Sequence, residues 1–108
     1  MESEFIQVLT TTENEQDAEK IARALVEKRL AGCVQIIGPI KSIYWWKEKV
    51  ETAKEWLCIV KTKERLFEEV EKSIREIHPY ETPEILAIPI IKGSEDYLNW
   101  LDRALKKE

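Results

Sequence analysis

The spacing of apolar residues along this chain switches between a period of two and a period near 3.6, and each switch marks an element. Phe5 to Thr11 predicts a short first strand. Ala18, Ile21, Ala22, Leu25 and Val26 then recur at three- and four-residue spacing with Glu19, Lys20, Arg23 and Glu27 between them, which predicts an amphipathic helix. Thr12 followed by Glu15 fits a capping box at its start, and Gly32 fits a C′ residue at its end. Cys33 to Lys61 reads as one long β-hairpin, with arms Cys33 to Trp46 and Val50 to Val60 separated by Lys47-Glu48-Lys49. Leu66, Phe67, Val70, Ile74 and Ile77 predict a second helix that Pro79 stops. Ile85 to Ile91 is an almost unbroken apolar run, expected as a strand buried on both faces or shared with a neighbouring chain, with Pro89 at an edge or bulge. Ser94 is a candidate N-cap, and Tyr97, Leu98, Leu101, Ala104 and Leu105 supply the stripe of a third helix.

The order β-α-β-β-α-β, then α, predicts an α+β ferredoxin-like sandwich: a mainly antiparallel sheet with two helices on one face. Residues 1–108 form one domain in this reading, with no repeat or linker to divide them. Each hairpin arm is about twice the usual strand length, so the helices cannot cover the whole ribbon. Alternation sends Trp45 to one face of the tip and Tyr44 and Trp46 to the other, leaving both faces apolar. Exposed aromatics beside open strand edges predict association through Tyr44, Trp45, Trp46 and Trp56. Head-to-tail strand addition closes most simply into a homotrimer. The competing reading folds the tip aromatics back onto the hairpin around Trp56.

Charge narrows the partners. Charged residues make up 35% of the chain but the net charge is −4 and the pI near 5.2, which argues against nucleic acid. No apolar run reaches membrane-spanning length, which argues against a membrane partner. Met1-Glu2-Ser3-Glu4 is acidic where a secretory leader is basic, so the expected compartment is cytoplasmic. The abundance of Lys and Glu over Asn and Gln is compatible with a thermostable protein. If Trp46 pairs with Lys49, Cys58 lies opposite Ile37, roughly 13 Å along the strand from Cys33 and beyond disulfide reach.

The only histidine stands in His78-Pro79-Tyr80-Glu81-Thr82-Pro83-Glu84, where two prolines hold the backbone semi-rigid. An imidazole, a phenol and carboxylates on a defined backbone suit a ligand or proton-transfer site. In the plainer reading His78 bonds the last carbonyls of the second helix, Tyr80 packs, and Glu81 sits in water or pairs with a lysine. Structural zinc is poorly supported, because Cys33, Cys58 and His78 are the only thiols and imidazole, without paired spacing. Both cysteines suit buried apolar positions. A site between subunits using His78 and carboxylates would suit copper(II) or another divalent cation, with no obligatory cofactor. Glu81 and Glu84 form a weak acid/base pair, and neither a nucleophile elbow nor a phosphate loop is present. Tyr97 and Trp100 either line an aromatic pocket near the connector or belong to the core.

Taken together, His78-Pro79-Tyr80-Glu81-Thr82-Pro83-Glu84-Ile85, Tyr44-Trp45-Trp46, Ala31-Gly32-Cys33 and Asp96-Tyr97-Leu98-Asn99-Trp100-Leu101 resemble the CutA divalent-cation-tolerance family over essentially the whole chain. The resemblance implies a ferredoxin-like fold, a homotrimer built by the long hairpin, a cytoplasmic location, a link to copper and other divalent ions, and architectural kinship with PII signalling proteins. It brings no established catalytic activity. Copper-binding members resemble a pattern of one thiol at the end of the first strand and two adjacent histidines before Pro-Tyr. Here Thr10 and Ile77 occupy two of those places, so only His78 carries over as a metal ligand. The family often has Gly in the hairpin turn where this chain has Glu48, which makes the turn less suited to positive φ. The expected function is a trimeric ion-response protein with a ligand cleft between subunits lined by His78, Tyr80, Glu81 and Trp100. The alternatives are a small-molecule enzyme using Glu81 or His78 as acid/base in that cleft, and a non-catalytic recruitment trimer.

Overall fold

The computed structural model describes residues 4–107; the acidic start Met1 to Ser3 lies outside them. The elements follow the expected order: β1 (Phe5–Thr12), α1 (Glu15–Glu27), β2 (Cys33–Trp46), β3 (Lys49–Lys63), α2 (Phe67–Ile77) after a single 3-10 turn, β4 (Leu86–Pro89) and α3 (Glu95–Ala104). The four strands form one antiparallel sheet in the order β2-β3-β1-β4, the ferredoxin-like arrangement. Among the described residues no helix is long and apolar enough to cross a membrane.

Strand alternation decides what the sheet buries. Val8, Cys58 and Val60 point toward the helices and meet Ile21 and Leu25 of α1 and Val70 and Ile74 of α2, all with no solvent exposure. The intervening positions Leu9, Leu57, Ile59, Ile37, Leu86 and Ile88 share the opposite face by register. There Ile37, Leu86 and Ile88 remain exposed. β4 is therefore not buried on both faces within one chain. It is an apolar edge strand, four residues long, with Pro89 where an edge tolerates it.

Several expected caps move. Asn14, not Thr12, caps α1: its side chain accepts from the Asp17 N–H at 2.8 Å, and the Thr12 hydroxyl donates to the Asn14 carbonyl. At the other end the left-handed residue is Arg29 (φ 57°), not Gly32. The Arg29 N–H reaches the Val26 carbonyl and the Leu30 N–H the Leu25 carbonyl, which makes a Schellman motif. Arg29 has compensation for that backbone, since its guanidinium donates to the Ala104 carbonyl and its own carbonyl accepts from the Lys106 N–H. Gly32 is needed for a different reason: a Cβ there would collide with Leu101 of α3. α3 is also held by Lys63, a nearly buried ammonium that pairs with Asp102 and Glu4. Burial alone would favour neutral Lys63, but the two carboxylates outweigh it and raise its pKa above the ordinary lysine value.

The hairpin is the longest feature. The chain extends 44 Å along its long axis against 28 and 22 Å across. Its radius of gyration, 14.3 Å, exceeds the about 13 Å of a compact chain of this length. A bulge between Ile37 and Ile40 sets Gly38-Pro39 against the single residue Trp56. Trp56 folds onto this bulge so closely that a Cβ on Gly38 would overlap its indole. The same bulge moves Cys58 opposite Ile36 rather than Ile37, which puts Cys33 and Cys58 on opposite faces as free thiols. Burial pushes the Cys58 thiol up to about 11, so it is an unreactive apolar filler.

At the tip the connection is two residues, Lys47 (φ 48°) and Glu48 (φ 66°), because Trp46 pairs with Lys49. The turn thus adopts positive φ despite lacking glycine, and the strain is carried by two L-residues. Replacing Glu48 with Gly should relieve it: the expected result is about 1 kcal/mol of added stability in chemical unfolding, with an unchanged m-value. An unchanged or lower midpoint would show that the Glu48 side chain makes a compensating contribution.

Candidate functional site

His78 ends α2, and its extended backbone (φ −66°, ψ 129°) is what the following Pro79 demands. The ring turns inward and is 8% exposed. Nε2 lies 2.7 Å from the Thr11 carbonyl, and Nδ1 accepts from the Tyr80 N–H at 3.2 Å. One nitrogen faces an acceptor and the other a donor, so the pattern assigns a neutral imidazole with its proton on Nε2. The His78 ring therefore ties the connector to the end of β1, while its backbone N–H bonds the Ile74 carbonyl of α2. Both ring nitrogens are engaged in this arrangement.

Tyr80 packs against the His78 ring, with centroids 4.7 Å apart, and its hydroxyl donates to Glu55 Oε2 at 2.8 Å. Glu55 comes from β3, opposite Ile40 just beyond the bulge, and is 6% exposed. Burial, then the Glu55 carboxylate and the charge of Glu13, raise the Tyr80 pKa far above that of a free phenol. The connection His78–Tyr80–Glu55 thus joins β1, α2, the connector and the base of the hairpin.

Other expected members are elsewhere. Glu81 is exposed and forms no hydrogen bond or ion pair among the described residues. Trp100 stacks with Tyr97, centroids 5.5 Å apart, on the exposed side of α3, so neither belongs to the core of the single chain. Tyr97 lies beside Cys33, and α3 docks where β3 ends at Lys63, whereas His78 meets β1 at Thr11. Lys63 pairs with Phe5, and Thr11 stands six positions along the strand from Phe5, roughly 20 Å away. One chain does not bring Trp100 to His78. Tyr44, Trp45 and Trp46 are all exposed, Trp45 by 73%, and only Trp56 is folded back. Thr10, at the position of the expected thiol, is fully buried, and its hydroxyl has no hydrogen-bond partner among the described residues. Among the described residues no three His, Cys, Asp or Glu side chains converge to hold a metal.

This architecture can be set beside known proteins. Residues 6–104 match the family described as "CutA1 divalent ion tolerance protein". The chain belongs to the CutA1 divalent ion tolerance family. It is 43% identical to the divalent-cation tolerance protein CutA of Archaeoglobus fulgidus over 92% of this chain and 96% of that protein. The solved Thermus thermophilus CutA1 structure superimposes with a TM-score of 0.92 at 41% identity, covering 94% of this chain and 99% of that one. CutA1 from a psychrotrophic Shewanella gives a TM-score of 0.95 at 34% identity, covering 99% and 100%. The chain spans only about half of some relatives, 51% of mouse CutA and 56% of an Arabidopsis protein.

The cytoplasmic expectation is corrected by the same comparisons. The A. fulgidus CutA structure is described as periplasmic, and the Arabidopsis relative is named as chloroplastic. Compartment is set by segments outside the folded domain, and a short acidic stretch before β1 is no guide to it.

The Glu55–Tyr80 bond has a direct readout. By sign, a phenol whose folded pKa is raised contributes stability that is complete below the ordinary tyrosine pKa and is lost as pH rises through the folded value. Ultraviolet titration should therefore show Tyr80 ionising well above the pH at which a free phenol does, with alkaline loss of structure following. Glu55→Gln should move the Tyr80 transition to lower pH, and an unmoved transition would show that Glu55 does not control it.

Proposed function

We propose that this CutA1-family chain works as a trimer in the cellular response to divalent cations, without catalysis, and with its ligand cleft between subunits. The observation that carries the reading is uncovered apolar surface on both sides of the ribbon: Ile37, Leu86 and Ile88 on the open sheet face, and Ile43, Trp45 and Val50 on the other face at the hairpin tip, are all exposed. Two open edges, β2 and β4, flank it. Neighbouring copies that cover this surface would also bring Trp100 of one chain toward the connector of another. Tyr80, Glu81 and Trp100 would line that cleft, with His78 fixing its floor.

Divalent cations bind such a site weakly, through carboxylates such as Glu81 rather than through imidazole. The relatives' names supply the link to divalent ions. Calorimetric titration of copper(II) into metal-free protein should give affinity weaker than micromolar, unchanged by His78→Ala apart from that variant's lower stability. Micromolar binding that disappears with His78 would contradict the structural role assigned to its two nitrogens.

A further inference from the structure

Glu55 is a nearly buried carboxylate whose described partner is a neutral phenol. None of the ion pairs among the described residues includes it. The charge of Glu13, felt at the Tyr80 hydroxyl that bonds Glu55, is also negative. A desolvated carboxylate without a cation is expensive to keep, so the site is electrostatically incomplete.

The cations that could complete it lie on the hairpin, where Lys41, Lys47, Lys49 and Lys54 are exposed and belong to no described ion pair. Within one chain none is placed to do so. Lys54 adjoins Glu55 and alternation turns it to the other face of the ribbon, where Lys41 is its direct cross-strand partner. Lys47 sits over the Trp46 ring, 5.6 Å from its centroid. Lys49 begins β3 and stands six residues up the same extended strand from Glu55, roughly 20 Å away. The hairpin thus carries an unpaired ammonium at its far end and an unpaired carboxylate at its base.

We propose that Lys49 of a second copy of this chain supplies the cation for Glu55, so that the Glu55–Tyr80 pair is a half-site closed only on assembly. The proposal rests on the trimer reading above. Head-to-tail contact has the required directionality: each copy gives its hairpin tip to one neighbour and receives the tip of the other at its hairpin base. The charge pair would then fix which way the apolar ribbons dock, a register that hydrophobic contact alone leaves loose.

The test is a double-mutant cycle on assembly, measured by sedimentation of the full chain across a dilution series, with circular dichroism to check that each variant is folded. Glu55→Gln and Lys49→Gln should each weaken association at least about ten-fold, and the double variant should be no weaker than the worse single one. Lys49→Arg should retain most of the wild-type association. If Glu55→Gln fails to fold, the exposed Lys49→Gln decides the matter alone. Assembly unaffected by Lys49→Gln, or losses that simply add, would overturn the pairing while leaving the assembly reading in place. A wild-type chain that sediments as a monomer would overturn that reading and the pairing with it.

Discussion

A ribbon too long for the body that carries it constrains the rest of this molecule. β2 and β3 run for 14 and 15 residues, while β1 offers 8 and β4 offers 4. The helices cover one face of the short common region, and beyond it the hairpin displays isoleucine, valine and tryptophan to solvent. Burial of apolar area contributes about 25 cal/mol per Å², so such a surface is a substantial unsatisfied term for an isolated chain. Residues elsewhere that look idle in the single chain, Trp100 and Leu86 among them, acquire a reason when neighbouring copies cover that face.

The ribbon is anchored at its base by local devices that depend on one another. The bulge lets Gly38-Pro39 occupy two positions against Trp56, Gly38 leaves room for the indole, and the register beyond the bulge sets Glu55 under the Tyr80 hydroxyl. His78 then holds the connector at the end of β1 through both ring nitrogens. Its hydrogen bonds fix the backbone that carries Tyr80.

The sequence showed the element order, both core helices and the length of the hairpin, because these rest on apolar periodicity over many residues. It also carried the family through motifs spread over the whole chain. What it hid were features that depend on a single residue out of step. The bulge at Gly38-Pro39 changes the partner of Cys58, and the Gly-Pro pair inside the strand is its one local sign. Asn14 takes the place of Thr12 as the cap because the helix begins two residues later than the capping box suggests. Glu55 was missed because a charged residue in a long strand reads as solvent-facing, and Lys63 likewise, although Asp102 and Glu4 reach it from the surface. Within one chain the fold sets Trp100 and His78 apart, so the cleft read between subunits has no counterpart in a single copy. The compartment was misread because it does not belong to the fold.

The overhanging ribbon needs a cover, and in this reading further copies of the same chain provide it. Light scattering on protein eluting from a sizing column at micromolar concentration measures this directly. The predicted mass is three times that of the 12.7 kDa chain. A stable species of 12.7 kDa would contradict it and would mean that the exposed face and the tip aromatics serve some other end.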